Sequence, residues 1–274
     1  MKKVTALVED RKNFFKPQLY YEHGLSLYIE TEKHNILFDM GQSDAFEHNA
    51  KRLGIDLSKV DIAIISHGHY DHGGGLGRFL EINKAAKVYL SPLAFEPYYS
   101  KNGYIGLDIS LKDNDRLVYV TEPIEIDNLV IFPATLLPTP YAVDSYGLET
   151  EKDGKRIPDS FDHEIYLTIT DPSPIFEGDK ITRLFSGCSH KGALNIAEYF
   201  NPDTYIGGYH LVKLDPTDKK DVEKLSLTAG KLAKGLRTNY TCHCTGYPQY
   251  KKMRKLIKIK QHLHYIKTGD CIIP

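Results

Sequence analysis

Long apolar runs are missing from this chain. None approaches the roughly 20 residues that a membrane-spanning helix needs, so helical insertion into a bilayer is excluded. Met1-Lys2-Lys3-Val4 leads quickly into Glu9-Asp10-Arg11-Lys12, and no signal-type hydrophobic stretch is expected. An excess of one charge is missing too. Lys and Arg number 35 against 36 Asp and Glu, which gives no general pull toward nucleic acid or anionic lipid. Beyond Lys251–Lys260, most simply a solvated helix face, there is no basic stripe of the kind nucleases carry. Cysteine is scarce, and Cys188, Cys242, Cys244 and Cys271 lack the spacing of a disulfide framework, which suits a reducing cytoplasm. No fixed-period repeat, low-complexity stretch or nucleophilic-serine elbow appears. Gly73-Gly74-Gly75 lacks the Lys and Ser/Thr of a phosphate loop.

What is present is an ordinary globular composition, 41% hydrophobic and 26% charged, over 274 residues, enough for a single domain spanning 1–274. The chain is organised around Ser66-His67-Gly68-His69-Tyr70-Asp71-His72-Gly73-Gly74-Gly75-Leu76, which follows the apolar run from Val60 to Ile65. The β-branched residues of that run read as a buried strand. A strand that ends in three histidines and an aspartate is not packing a core. Imidazole and carboxylate are the ligands that borderline divalent metals prefer. His67 and His69, two apart, can grip one ion; Asp71 and His72, on the turn beyond, can face a second. The glycines let the backbone fold tightly and the next helix start close by.

Along the rest of the chain, strands are expected at 3–9, 24–30, 35–39 and 87–90, with helices at 43–53 (stopped by Gly54) and 76–83. This strand–helix–strand alternation argues an α/β layered fold. From about 91 to 160 the pattern becomes an irregular insertion rich in Pro and Tyr, with short strands at 116–121 and 129–133. Its aromatics suggest a cover over the cleft. Strands return at 164–169, 183–186, 204–207, 239–242 and 264–273, with helices at 193–200, 221–236 and 249–257.

His67-x-His69-x-Asp71-His72 after an apolar strand resembles the metallo-β-lactamase superfamily. His23-Gly24-Leu25-Ser26, Leu37-Phe38-Asp39-Met40-Gly41, Ser186-Gly187-Cys188-Ser189-His190, Gly207-Gly208-Tyr209-His210-Leu211 and His243-Cys244-Thr245-Gly246 agree in order. Together, over Glu22 to Gly269, they are similar to the subfamily labelled after an archaeal dihydropterin-methyl-ribofuranosyl-aminobenzene-phosphate synthase. The resemblance implies a four-layer αββα sandwich with two mixed β-sheets flanked by helices. It also implies two divalent ions, zinc first, with manganese or iron as alternatives. A third histidine for the first ion, a bridging acid and a last histidine for the second ion would come from the second half.

His190 is favoured over His163 as the third ligand of the first ion, and His243 is chosen for the second. His210 is a substrate or runner-up ligand residue, and Asp39 an acceptor for a motif imidazole. Many superfamily members carry Asp as the bridge, where this chain has Cys188. Thiolate ligation and a packing role are both open there, and the expectation is a bridging hydroxide with Cys188 beside the ions. The implied chemistry is hydrolysis of an ester, lactone, thioester or phosphodiester by a hydroxide held between the two metals, with Asp71 orienting it. A pterin-related synthase using the metals to activate a phosphate leaving group is the alternative. A diiron redox protein ranks lower, because such proteins carry Glu where this chain has His69. The expected partner is a small molecule; oligomeric state is undefined by sequence.

Overall fold

The computed structural model describes residues 1–173, 177–234, 237–257 and 262–274. The first half runs β1 (Lys3–Val8), β2 (Ser26–Glu30), β3 (Asn35–Phe38), α1 (Ala45–Arg52), β4 (Ile62–Ile64), α2 (Tyr70–Gly73), α3 (Leu76–Ile82) and β5 (Lys87–Leu90). There follow β6 (Tyr98–Ser100), β7 (Gly103–Tyr104), β8 (Leu117–Tyr119), β9 (Ile124–Ile126), β10 (Leu129–Pro133), β11 (Glu149–Lys152) and β12 (Lys155–Pro158). The second half holds β13 (Ile165–Pro172), β14 (Lys180–Phe185), α4 (Ala193–Phe200), β15 (Thr204–Gly207), α5 (Lys219–Leu232), β16 (Thr238–Thr241), α6 (Tyr247–Leu256), β17 (Leu263–Tyr265) and β18 (Cys271–Ile272). Among the described residues no helix is long and apolar enough to cross a membrane.

Two seven-stranded sheets result, ordered β18-β1-β2-β3-β4-β5-β8 and β17-β16-β15-β14-β13-β10-β9. Each is mixed. β3, β4, β5 and β8 are parallel in the first; β14, β15, β16 and β17 are parallel in the second. Side chains on a strand alternate between faces, and here both faces are apolar. In β3, Ile36 and Phe38 enter the core between the sheets, while Leu37 joins Phe46, Leu76 and Phe79 under α1 and α3. In the second sheet Ile165, Leu167, Phe185 and Ile206 face inward. Tyr166, Leu184 and Tyr205 face outward onto Ile196, Leu225 and Met253 of α4, α5 and α6. Helices thus cover both outer faces, the four-layer αββα arrangement expected.

Three expectations need correction. The 91–160 segment holds the two strands expected in it, β8 and β10, and beyond them β9 at the margin of the second sheet and β6, β7, β11 and β12 in a third, four-stranded sheet. The single closing strand is two. β17 pairs with β16, then a turn through Gly269, whose φ is +80°, sends β18 across to β1 in the other sheet. The helix expected from 221 starts at Lys219, because Asp218 caps the amides of Lys220 and Asp221 ahead of the apolar stripe. That helix ends at Leu232, and positions 235–236, like 258–261 of the lysine-rich run, lie outside the described residues.

Because β3 and β4 are parallel, as are β14, β15 and β16, their carboxyl ends gather at one edge of the sandwich. Asp39, Ser66, Gly187, Gly208 and Cys242 all follow those ends. Crevices outside strand carboxyl ends are where ligands bind in layered α/β folds. Phe38 and Phe185, with ring centroids 6.2 Å apart, lock the sheets together just beneath this edge. Phe38 is fully buried. Replacing it by alanine is expected to cost about 3–5 kcal/mol, lowering the melting temperature by roughly 10 °C in scanning calorimetry.

Candidate metal centre

The motif loop leaves β4 and is tied down by backbone. Tyr70 N–H donates to Ile105 O at 2.8 Å, Met40 N–H to His72 O at 2.7 Å, and Leu25 N–H to Asp71 O at 3.2 Å. A Cβ at Gly75 would stand 2.4 Å from Met40 O, and one at Gly24 2.4 Å from Asp71 O. The glycines admit these close approaches. His69 caps α2 from an extended conformation; Asp71 and His72 lie inside its single turn.

His67, His69 and His190 form one group of donors, all within 4.8 Å of one another. The Nε2 atoms of His67 and His69 and both ring nitrogens of His190 are buried with no hydrogen-bond partner. Burial holds these imidazoles neutral: His69 falls to a pKa of about 3, and His67 and His190 are driven well below their ordinary value. Their orientations are set from behind. His67 Nδ1–H donates to Ser66 Oγ at 2.8 Å. The His190 loop is held by Glu164, whose carboxylate accepts from His190 N–H at 2.7 Å and Lys191 N–H at 3.0 Å. Phe161 stacks on the His190 ring at 4.5 Å. Neutral imidazoles turned toward one another with free lone pairs are poor core packing and good metal ligands.

The second group is more polar. His72 Nε2 lies 3.2 Å from His243 Nε2 and 3.7 Å from Asp71 Oδ2; His243 Nε2 lies 3.2 Å from that same carboxylate oxygen. Asp39 holds His72 through an Nδ1–H hydrogen bond of 2.6 Å, as the sequence suggests, and also accepts from Ser66 N–H and Oγ–H. Asp10 does the same for His243 Nδ1–H, at 2.6 Å. Burial opposes charge on His243, but its hydrogen bonds to Asp10 and Asp71 outweigh this and raise its pKa well above normal. Burial likewise pushes Asp71 upward, and the neighbouring His72 and His243 overcome it, holding the carboxyl below the usual range. A positive charge is therefore favoured at the point where His72, His243 and Asp71 meet.

Cys188 Sγ sits 3.2 Å from His72 Nε2 and belongs to donor groups with His67 and His72, with His190 and His210, and with His243 and Cys244. His210 has both ring nitrogens unpartnered, 4.2 Å from His190 between ring centroids. His163 differs: its Nδ1 accepts from Gly68 N–H at 2.9 Å and its Nε2–H donates to Asp159 at 3.0 Å. Both of its nitrogens are spent on protein, whereas those of His190 are free. Asp10, Glu9 and His23 are residues that sequence reasoning did not place in the site. Glu9 accepts from His243 N–H, and His23 bridges Asp10 and Asp71 at 3.1 and 3.3 Å. The signal available was two acids at a strand end and a histidine within a motif segment.

A cleft of about 300 Å³ opens over both groups, walled by Tyr70, by Ser100 at the end of β6 with Lys101 and Asn102 of the turn that follows, and by Leu148, Val212 and Lys213. The 91–160 segment thus contributes part of the cover.

The family model for the metallo-β-lactamase superfamily matches residues 20–172. The chain is 34% identical over 206 residues to uncharacterized protein MJ0448 of Methanocaldococcus jannaschii, covering 71% of this chain and 75% of that protein. It is 30% identical over 280 residues to 7,8-dihydropterin-6-methyl-4-(β-D-ribofuranosyl)-aminobenzene-5'-phosphate synthase of the same organism, covering 89% and 88%. Among solved structures it superposes on Tm1679, a metal-dependent hydrolase of the β-lactamase superfamily. The TM-score is 0.78 with 28% identity, over 100% of this chain and 99% of that one. YhfI of Bacillus subtilis shares the fold, at TM-score 0.55 and 15% identity over 98% of each chain.

Elemental analysis of purified protein is expected to find up to two transition-metal ions per chain, and their absence even after reconstitution would overturn the centre. His69→Ala should lose metal, whereas exposed His48→Ala should keep it. Asp39→Asn, which disturbs the imidazole of His72 from behind, should weaken metal affinity about 10–100-fold in a chelator competition.

Proposed function

We propose that this chain, which belongs to the metallo-β-lactamase superfamily, is a hydrolase of esters, lactones, thioesters or phosphodiesters that works with two divalent ions, zinc first among them. The observation that carries this reading is the meeting of two sets of buried imidazoles, one neutral and one flanked by carboxylates, beneath a single open cleft. The superfamily match and the enzyme among its relatives support a metal-using enzyme; the reaction class is our reading. His67, His69 and His190 would hold one ion, and Asp71, His72 and His243 the other. We assign Cys188 to the ligands rather than beside them, against the expectation from sequence. Its Sγ is 3.2 Å from His72 Nε2, a separation natural to two ligands of one ion, and it shares donor groups with both sets.

When bound, such ions lower the pKa of a water and polarise the carbonyl or phosphoryl oxygen on which negative charge develops. The protein's part is positional. His23 and His243 approach the same oxygen of Asp71, at 3.3 and 3.2 Å, which holds that carboxylate in one orientation at the cleft. Asp39 and Asp10 engage Nδ1 of His72 and His243, so that each Nε2 is the atom turned toward Asp71 and the space between the two rings. His210, with two free nitrogens at the cleft wall, is placed to donate a hydrogen bond to substrate. Tyr70 and the Ser100–Asn102 turn narrow the entrance.

A second reading is favoured by the near full-length match to the dihydropterin-ribofuranosylaminobenzene phosphate synthase: condensation with loss of a phosphate leaving group at the same residues. Metal-loaded protein should be assayed against a panel of the four bond classes, and separately for carbon–nitrogen bond formation between a dihydropterin and a ribofuranosylaminobenzene phosphate. Turnover of one hydrolytic class, reduced about 10²-fold or more in Asp71→Asn, is expected. Condensation without any hydrolysis would replace the first reading by the second.

Cobalt substitution tests the assignment of Cys188. An intense sulfur-to-metal charge-transfer band is expected in the native protein and should vanish in Cys188→Ser. A band-free native spectrum would return the thiol to a packing role.

A further inference from the structure

A cavity of about 450 Å³ lies between α4 and α5, walled by Tyr141, Glu198, Asn201, Lys231, Lys234 and Arg237. Three cations thus face one carboxylate, and that carboxylate is engaged: Glu198 Oε2 accepts from Tyr141 O–H at 2.6 Å. Lys231 Nζ donates to the Tyr141 hydroxyl at 2.6 Å and lies 4.1 Å from the ring centroid. Arg237 is only 7% exposed, yet no carboxylate is among its hydrogen-bond partners. Nε donates to Pro202 O at 2.8 Å, and Nη2 to Ala197 O at 3.1 Å and Asn201 Oδ1 at 3.2 Å. Its Nη1 has no partner among the described residues. Burial accordingly lowers the pKa of Arg237 from its ordinary value. The nearby Asp203 carboxylate pulls the other way without overcoming that burial, so part of the desolvation cost remains, which an anion in the cavity would offset.

The wall is also built rather than incidental. Tyr141 N–H donates to Asn195 Oδ1 at 2.8 Å, and Asn195 Nδ2 donates to Tyr141 O at 3.0 Å and Lys191 O at 2.6 Å. This clasp fixes the tyrosine ring over the cavity beside the apolar Leu194 and Ala197. Tyr141 and Leu194 also line the narrower space that leads to His190 and His210.

We infer that this cavity is a binding site for a phosphate monoester, with Arg237, Lys234 and Lys231 receiving the phosphoryl oxygens and Tyr141 with Leu194 receiving the organic part. The site stands apart from the proposed metal ligands and does not depend on the hydrolytic reading. Planar guanidinium and flexible ammonium groups are the usual recognition pair for a phosphoryl dianion, and the volume falls in the range of small-molecule pockets.

Calorimetric titration of metal-loaded protein with inorganic phosphate and with phenyl phosphate at low ionic strength tests it. Both should bind, phenyl phosphate more tightly. The Lys231→Met/Lys234→Glu double variant should bind each at least about tenfold more weakly, the scale of one lost charge-assisted hydrogen bond, while keeping its metal content. Arg237→Gln should weaken binding in the same direction. Because phosphate could also meet a metal ion, the titration is repeated on His69→Ala, which should retain phosphate binding whether or not it retains metal. No binding by the native protein, equal affinity in the double variant, loss of binding in His69→Ala, or exclusion of phenyl phosphate where phosphate binds would each overturn the assignment.

Discussion

The centre depends first on one buried carboxylate. Asp39, fully enclosed at the end of β3, accepts from the backbone N–H of Ser66, the hydroxyl of Ser66 and Nδ1 of His72. Through these bonds it joins two neighbouring strand ends and fixes the loop that carries His67, His69, Asp71 and His72. Desolvating a carboxylate is costly unless its lone pairs are filled and a positive charge stands near. The three hydrogen bonds supply the first condition. The positive potential favoured between His72, His243 and Asp71 supplies the second. Asp39 thereby orients the His72 imidazole that we assign to the second ion.

The second sheet repeats the device with different residues. Glu164 gathers the amides of His190 and Lys191, and Glu9 with Asp10 receives the amide and Nδ1 of His243. Each proposed ligand loop therefore has an acid behind it, from the neighbouring strand for Asp39 and Glu164 and from the other sheet for Glu9 and Asp10. The consequence is an electrostatic asymmetry. Three imidazoles sit neutral on one side, while Asp10, Asp39 and Asp71 surround the other. Cys188 stands between the two environments, which is why its assignment changes how the charge of the whole centre is divided.

Much of this was legible in the sequence, because the chemistry of His67 to His72 is contiguous and follows a strand of unmistakable β-branched composition. The same holds for Asp39, which ends a strand ahead of a glycine. What escaped were partners joined only by folding. His243 and Asp10 are 233 positions apart, and nothing local marks Glu9-Asp10 as more than a polar strand end. The choice between His163 and His190 had a similar origin. Sequence shows that both are histidines near the right place, and only the structure shows that Gly68 and Asp159 consume the nitrogens of one. The third sheet was hidden by prolines: Pro97 stands just before β6 and Pro158 ends β12, yet both strands pair with β11.

Backbone conformation explains why these loops could not be read as ordinary turns. Asp39, Ser189, His210 and His243 all adopt left-handed φ values, between +46° and +60°, although none is glycine. Each such residue costs of order 1–3 kcal/mol and persists only where its surroundings over-determine it. The reason lies in strand geometry. A chain leaving a sheet edge in extended form carries its next side chain up or down, parallel to its neighbours. A left-handed residue reverses the path at once and returns the side chain over the edge, toward the space between the sheets. Glycine would make that reversal without strain but would leave no side chain to deliver. The four residues that pay for the turn are therefore ones whose own groups, or immediate neighbours, face the centre: a carboxylate on His72, the serine between Cys188 and His190, and two imidazoles. Strain, burial and unsatisfied nitrogens coincide at one edge of the sandwich, where the proposed ions would relieve the electrostatic part of the cost.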